Sequence, residues 1–343
     1  TIAITCRGNT CGTINRIPAK TYITGNSMAL DDVEDKIITQ DYLYHSLTHR
    51  SVSDAISGSA QPQITGNSLK QVRFPLAPLL EQQKIAAILT SVDDVIEKTQ
   101  AQIDKLKDLK SGMMQELLTK GVGVDGKPHT EFKDSPVGRI PKMWKMAPLS
   151  NVCELQVGYA FKSTWFVDAG IKLLRGDNVG FGTATWERTK YLSKHEANNY
   201  QDYQLSRGDI IIGMDRTFTK SGVKITKLSI EDTPSLLVQR VGRFLPKSTC
   251  DDDFLWQLLR SSQYLDALKG QEKGMDIPHL SKSEILTPYV VIPPLEEQKI
   301  IARTLRSVDD MIERNSKKLI SNNLLKKALM QDLLTGKVRV TID

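Results

Sequence analysis

The sequence predicts an α+β fold in which two globular regions alternate with two long helices. Two observations carry this prediction. An amphipathic segment at residues 79–98 occurs again at residues 295–314, and an internal repeat of this kind defines the architecture of a chain. Between the two copies, short apolar runs are separated by Gly, Asn and Asp, which is typical of strands and turns.

The repeated helix is the clearest feature of the sequence. Its first copy begins LLEQQKIAAILTSVDDVIEK and its second begins LEEQKIIARTLRSVDDMIER, and the alignment continues without a gap to a shared LLT. Prolines precede each copy, and Gly121 or Gly336 follows it. Proline favours the start of a helix and glycine its end, so each copy is predicted to form one continuous helix.

Both helices carry apolar residues at heptad spacing for about five heptads, which predicts rods of roughly 60 Å that pack on a partner helix. The simplest partner for each helix is the other one. Asn315 and Asn322 fall in the seam, where a polar residue favours one register. The predicted seam consists of Ile85, Leu89, Val92, Ile96, Ile103, Leu106, Ile301, Leu305, Val308, Ile312, Asn315, Leu319 and Asn322.

The composition is that of an ordinary globular protein, with 40% hydrophobic and 25% charged residues among 343. No apolar window approaches the length of a membrane span and no signal peptide is visible, so we expect a cytoplasmic protein without a membrane partner. Four scattered cysteines fit a reducing compartment. The net charge of +6 is a weak indication of a polyanionic partner. Because the first residue is Thr1, we expect the chain to begin inside a longer gene product.

Fainter similarity precedes each helix, and it places two polar loops at corresponding positions. Their side chains can form hydrogen bonds but differ in identity, which favours two surfaces that bind different ligands. Solvated loops without a ligand are the alternative. The polar residues are Arg216, Thr217, Thr219 and Lys220 after the strand DIIIGM, and Arg7, Asn9 and Thr10 after Ile4.

Other motifs do not support a catalytic or metal site. GVGVDGKP at 121–128 is close to a phosphate-binding loop, but Pro128 replaces the required Ser or Thr. Two cysteines and two histidines, the ligand types of a zinc site, are present at Cys6, Cys11, His45 and His49. Their spacing along the chain does not fit such a site. There is no run like Asn-Pro-Pro-Tyr for adenine methylation. We therefore predict no metal site and no catalytic residue in this chain.

In combination, four motifs resemble the DNA specificity subunit (S subunit) of type I restriction-modification systems. They are PPLEEQKIIARTLRSVDDMIE with its first copy, the linker GVDGKPHTEFKDSPVGRIPKMWKMAPLSNV, GYAFKS at 158–163 and LSRGDIII at 205–212. The resemblance implies two target recognition domains, each bound to one half of a split sequence in double-stranded DNA, and two helices packed antiparallel as a spacer. A coiled-coil assembly or scaffold protein without sequence-specific DNA binding is the alternative.

The resemblance also implies partners and cofactors. Two methyltransferase (M) subunits are expected to carry S-adenosylmethionine, and restriction/translocase (R) subunits to carry ATP and Mg. The S subunit of this family has no catalytic site and no cofactor of its own. We expect the same of this chain.

The expected domains are the C-terminal part of target recognition domain 1 (1–75), spacer helix 1 (76–121), a linker (122–142), target recognition domain 2 (143–292), spacer helix 2 (293–336) and a tail (337–343). The first domain lacks a counterpart to residues 139–208, so we expect residues 1–75 to fold incompletely. Because bases are recognised by hydrogen bonds and phosphates by cations, we predict DNA contact from the two polar loops. We add four further residues of domain 2, namely Lys162, Ser163, Arg175 and Asn178.

Overall fold

The computed structural model describes residues 1–18, 20–58, 60–220, 222–271 and 279–341. The chain divides into two compact units. Unit 1 consists of Thr1–Lys107 and Met311–Asp343, and unit 2 of Asp108–Asp310. Each long helix therefore contributes a part of its length to each unit.

Unit 1 is built on a three-stranded antiparallel sheet of order β2-β1-β3, covered by a helix. Its elements are β1 (Ile2–Thr5), β2 (Ile14–Arg16), β3 (Ser27–Leu30), α1 (Gln40–Arg50), a 3-10 helix (Ser53–Ala55), β4 (Ile56–Ser57), β5 (Gln63–Ile64), α2 (Gly66–Leu69) and the first part of α3 (Leu79–Leu117).

Residues 1–75, which the sequence led us to expect to fold incompletely, contain a small hydrophobic core in this structure. Strand β1 is paired on both sides, and the buried side chains of Ile4, Leu47, Val52 and Ile64 form a core between the sheet and α1. Three strands with one apolar face against a helix are enough to bury that face. This part of the chain therefore has a core of its own.

Unit 2 contains a five-stranded sheet of order β10-β12-β11-β18-β13 and a four-stranded sheet of order β17-β14-β19-β9. Its strands are β6 (Phe132–Lys133), β7 (Ile140–Pro141), β8 (Lys145–Pro148), β9 (Cys153–Val157), β10 (Phe166–Val167), β11 (Ile171–Leu174), β12 (Lys190–Leu192), β13 (Gln204–Leu205), β14 (Ile210–Gly213), β15 (Phe218–Thr219), β16 (Gly222–Val223), β17 (Ile225–Lys227), β18 (Ser235–Leu237), β19 (Val241–Pro246) and β20 (Tyr289–Ile292).

The helices of unit 2 are short except for the two long ones that it shares with unit 1. They are α4 (Lys194–Ala197), α5 (Asp252–Leu258), α6 (Ser262–Lys269), α7 (Lys282–Leu286) and α8 (Leu295–Leu334), with 3-10 helices at Leu149–Asn151, Ser163–Trp165, Asn198–Tyr203 and Ile230–Asp232. Side chains from Ser281 and Asp251 cap α7 and α5, which satisfies backbone N–H groups of the first turn.

The two units share one motif. In unit 1 the sheet β2-β1-β3 is followed by α1, and in unit 2 the strands β17-β14-β19 are followed by α5. The central strand is apolar and largely buried in both cases, with the sequence IAIT in β1 and IIIG in β14. The register also agrees, because Ile2 pairs with Arg16 as Ile210 pairs with Lys227. The repeat thus includes the sheet as well as the long helix.

The two long helices pack antiparallel, as expected. In unit 1 the first part of α3, at Ile85 and Leu89, shares a buried cluster with the last part of α8, at Met330 and Leu333. In unit 2 the last part of α3 shares a cluster with the first part of α8, which includes Ile301 and Leu305. The prediction of an α+β fold with an antiparallel pair of long helices is confirmed.

The seam residues are all removed from solvent to some degree. The apolar side chains at the outer ends of the pair are the most buried, whereas the middle of α8 is more open. The side-chain Nδ2 of Asn315 donates to Met311 O of the same helix at 2.9 Å. The buried members are Ile85, Leu89, Ile103, Ile301, Leu305 and Val308, and the half-buried ones are Val92, Ile96, Leu106, Ile312, Asn315, Leu319 and Asn322.

Candidate nucleic-acid interface

The loop that follows β14 is a small hairpin, formed by β15 and β16. Arg216 lies before the hairpin with an exposed side chain and a left-handed backbone (φ 48°). Lys220 lies at the hairpin turn and is also exposed. Thr219 is exposed, and its hydroxyl group donates to Gly222 O at 3.0 Å. Two cations and one hydroxyl group of the predicted set therefore face solvent here.

Thr217 was predicted to contact DNA, but the structure places its side chain in the interior. Its side chain is buried, and its hydroxyl group donates to Gly213 O at 2.6 Å. This hydrogen bond closes the turn between β14 and the hairpin. Thr217 thus shapes the loop and presents no side-chain atom to solvent.

Arg175 and Asn178 lie beside this loop, because Lys224 Nζ, in the segment after the hairpin, donates to Gly176 O at 3.4 Å. Asn178 is buried, accepts from Arg175 N at 3.1 Å and donates to Thr185 O at 2.9 Å. Its amide is therefore used within the turn. Arg175 is half-buried and lies 3.3 Å from Asp177, so part of its guanidinium group remains available.

Lys162 and Ser163 lie at the start of a short 3-10 helix and are both exposed. The ammonium group of Lys162 is 5.4 Å from the centre of the Trp165 ring, a distance typical of a cation–π contact. Trp165 and Phe161 belong to the aromatic core of the five-stranded sheet. Among the described residues, no hydrogen bond, ion pair or ring contact connects Lys162 with the loop after β14, so the structure does not unite the predicted set into one surface.

The corresponding loop of unit 1 follows β1. Arg7, Asn9 and Thr10 are all exposed. The loop is closed by backbone hydrogen bonds, from Gly8 N to Pro62 O at 3.1 Å and from Thr13 N to Thr10 O at 3.1 Å. Three polar side chains thus face solvent at the place predicted from the repeat.

Three residues that sequence reasoning missed meet at the end of β14. Asp215 accepts from Arg240 Nη1 at 2.8 Å and from His279 Nδ1 at 2.6 Å. Partial burial favours the neutral acid, but the two hydrogen bonds outweigh it and hold the pKa of Asp215 below its usual value. The sequence repeat aligns His279 with Gln63, and this alignment could have identified His279. No comparable signal marked Arg240.

The long helices carry a second set of matched contacts. Lys110 Nζ donates to Asp309 Oδ1 at 2.6 Å in unit 2, and Lys326 Nζ lies 2.5 Å from Asp93 Oδ1 in unit 1. Lys110 and Lys326 are equivalent positions of the repeat, as are Asp93 and Asp309. Each pair joins the two antiparallel helices, so the sequence repeat becomes a repeat of interhelical contacts.

A buried glutamine connects each long helix to the globular part of its unit. Gln82 accepts from Thr39 N at 2.9 Å, and Gln298 accepts from Asp251 N at 2.9 Å. Thr39 and Asp251 are the residues that cap α1 and α5. The repeated Gln therefore fixes the start of the globular helix to the long helix in both units.

Among the described residues, no group of three or more His, Cys, Asp or Glu side chains is arranged to hold a metal ion. Cys6 is buried and its thiol donates to Ile4 O, while His45 Nε2 lies 3.2 Å from Thr90 Oγ1. In the same described part of the chain, no helix combines the length and the apolar character that a membrane span requires.

Comparisons with known proteins agree on one family. The family model for the type I restriction modification DNA specificity domain matches residues 1–108 and 141–322. The type I restriction enzyme MjaVIII specificity subunit of Methanocaldococcus jannaschii is 36% identical over 324 residues, covering 94% of this chain and 75% of that protein. The EcoAI specificity subunit of Escherichia coli is 30% identical over 181 residues, covering 52% of this chain and 30% of that protein.

Solved structures give the same fold. The S subunit of a type I restriction-modification system from M. genitalium superimposes with a TM-score of 0.64 at 15% identity, covering 99% of this chain and 83% of that one. A structure described as a type I R-M system complex assembly gives a TM-score of 0.51 at 16% identity, covering 98% and 82%.

Proposed function

Because the chain belongs to the DNA specificity family of type I restriction-modification systems, we propose that it binds a split target in double-stranded DNA and holds the subunits that act there. Its role is DNA sequence specificity in such a system. The observation that carries the proposal is that the family match spans both globular regions, at residues 1–108 and 141–322. A coiled-coil scaffold without DNA recognition is not favoured, because it would not need these regions.

In unit 2, the loop after β14 is the surface that we propose to contact DNA. Arg216 and Lys220 are exposed there, and Arg175 lies beside the loop. Cations of this kind bind phosphates, and arginine also recognises guanine through two hydrogen bonds. In unit 1, Arg7, Asn9 and Thr10 occupy the matching loop. Two loops of different composition suit two half-sites of different sequence.

The proposed partners are those that the family resemblance implies, and the repeat in the long helices supports them. Equivalent outward positions on α3 and α8 offer similar docking surfaces, which suits two copies of one M subunit. Restriction/translocase subunits would join through that assembly. We assign S-adenosylmethionine to the M subunits, and ATP and Mg to the R subunits. In this proposal the chain itself is a non-catalytic recognition subunit.

A gel-shift experiment tests the proposal. The purified chain is combined with its M subunits and titrated with genomic DNA fragments, against a large excess of random-sequence duplex. We expect a subset of fragments to remain bound when the random competitor is added. Equal competition by all sequences would refute sequence recognition and favour the scaffold.

A further inference from the structure

The ends of the central strands in the two units are held by the same backbone hydrogen bonds. In unit 2, Met214 N donates to Arg240 O at 2.9 Å, and Leu280 N donates to Met214 O at 2.9 Å. In unit 1, Cys6 takes the place of Met214. Its N–H group donates to Asn26 O at 2.7 Å, and its carbonyl group accepts from Ile64 N at 2.9 Å.

This shared framework defines three matched positions, which differ in every side chain. Arg7 forms an isolated antiparallel β-bridge with Gln63 in unit 1, and Asp215 forms the same kind of bridge with His279 in unit 2. The third pair, given by the hydrogen bonds above, is Asn26 and Arg240. A common backbone with different side chains is the arrangement expected of positions that determine specificity, because the side chain can change while the loop keeps its shape.

In unit 2 the matched positions carry a preorganised guanidinium group. Arg240 is 64% exposed, and only its Nη1 donates to Asp215. Among the described residues, Nε and Nη2 of Arg240 have no hydrogen-bond acceptor, so their N–H groups form the open edge of a planar fork. Arg240 also has a left-handed backbone (φ 63°), which is strained for a residue with a side chain. Because the side chain is exposed, packing does not explain the strained backbone.

In unit 1 one matched position is Arg7, and the other two carry amides. Asn26 and Gln63 are both exposed. Within the described residues, neither side-chain amide forms a hydrogen bond with the protein, so both can bind a ligand. Amides of Asn and Gln recognise adenine through N6 and N7, whereas arginine recognises guanine through O6 and N7.

We propose that these matched positions determine the bases that each unit recognises: Arg240 binds a guanine in one half-site, and Asn26 and Gln63 bind adenine in the other. Asp215 is a positioning residue, because it holds Arg240 and His279 without facing the base itself. The inference rests on the proposed function of DNA recognition and names the residues that carry it out.

The test is selection from random duplex DNA by the chain in complex with its M subunits, followed by sequencing. The variants are Arg240→Lys, Arg240→Gln, Asn26→Ala and Asp215→Asn. Arg139→Gln is the matched control, because Arg139 is an exposed arginine of the linker, outside the framework. Thermal unfolding of each variant verifies that it is folded.

We expect Arg240→Lys and Arg240→Gln each to reduce the preference for guanine at one position by about tenfold or more, and to leave the other half-site unchanged. Arg240→Lys keeps the charge, so it should retain the salt dependence of binding while it loses the base preference. Asn26→Ala should reduce the preference for adenine at one position, in the other half-site only. Asp215→Asn should weaken the same guanine preference as Arg240→Lys.

Two results would overturn the inference, and they are distinct from failure of the proposed function. An unchanged motif with Arg240→Lys, together with a reduced salt slope for Arg240→Gln, would make Arg240 a phosphate contact. Changes in both half-sites from a single substitution would disprove the assignment of positions to units. If the unmodified complex selects no motif, the proposed function itself fails.

Discussion

Lys110 of α3 donates to Asp309 of α8 at 2.6 Å, and the repeat makes the same contact again between Lys326 and Asp93. When two copies of one helix pack antiparallel, each interhelical contact is formed twice. The ion pair is therefore a feature of the repeated sequence, and it accounts for a lysine that is wholly or partly buried in each helix.

Replacing Lys110 by Met tests the contribution of this pair. Burial and the nearby charge of Arg260 lower the pKa of Lys110. Asp309 would keep the hydrogen bond from Gln257 at 3.0 Å, so the cost falls below that of an isolated buried charge. We expect a loss of about 1–3 kcal/mol in the free energy of unfolding, measured with urea.

The matched control for that substitution is Lys120→Met. Lys120 forms an exposed pair with Glu116 one helical turn earlier, and such pairs contribute about 0.5 kcal/mol or less. Equal effects of Lys110→Met and Lys120→Met would show that the interhelical pair does not stabilise the fold.

Two glycines that end the long helices should differ sharply in their tolerance of alanine. Gly121 and Gly336 have similar left-handed backbones, with φ of 69° and 74°. A Cβ atom at Gly121 would collide with Glu297 and Trp144, whereas one at Gly336 would meet nothing within 4 Å. We expect Gly336→Ala to cost about 1 kcal/mol from backbone strain, and Gly121→Ala to cost roughly 3 kcal/mol or more, measured by thermal or urea unfolding.

The collision at Gly121 also perturbs a buried carboxylate. Glu297 accepts from Trp144 Nε1 at 2.9 Å and from Val122 N at 3.1 Å. Displacing it would leave these donors without an acceptor, which adds to the cost. If both alanine variants lost the same stability, crowding around Gly121 would not matter.

The sequence predicts the long helices well because their signal extends over many heptads. The helices span Leu79–Leu117 and Leu295–Leu334, inside the ranges 76–121 and 293–336 expected from the repeat and its proline and glycine boundaries. Sheet order was not predictable, because it depends on pairing between distant strands such as β11 and β18. Periodicity along one strand contains no information about its neighbour.

Single polar residues were the least predictable part of the candidate interface. Thr217 and Asn178 are polar residues of loops, which favours exposure, but both side chains turn inward to bind backbone groups. Small polar side chains commonly do this at turns. Asp215 and Arg240 are 25 residues apart in sequence, and only the pairing of β14 with β19 brings them together.

His45 should make the stability of unit 1 depend on pH. Its side chain is fully buried, and burial, reinforced by the charge of Arg16, lowers its pKa from 6.5 to about 4. The folded protein thus binds this proton more weakly than the unfolded chain. Its stability is complete above about pH 6.5 and decreases as the pH falls towards 4, by up to about 3 kcal/mol.

His45→Gln is the variant that tests this, because unit 2 has Gln257 at the equivalent position. Gln257 Nε2 donates to Asp309 there, so Gln at position 45 could donate to Asp93. We expect the difference in unfolding free energy between the two proteins to change by about 2–3 kcal/mol between pH 7.5 and pH 4.5 in favour of the variant. A constant difference over this range would exclude His45 as the source.

Arg216 and Thr217 are neighbours whose substitutions should have separate effects. Arg216 is exposed, so Arg216→Ala should leave the free energy of unfolding nearly unchanged and weaken specific DNA binding by roughly 1–3 kcal/mol if it recognises a base. Thr217→Val removes the buried hydrogen bond to Gly213 O and should cost about 1 kcal/mol of stability. Footprinting and salt titration of the complex, with urea unfolding of each variant, measure both quantities. Since only the side chain of Arg216 reaches solvent, an unchanged footprint and salt slope for Arg216→Ala would remove it from the interface.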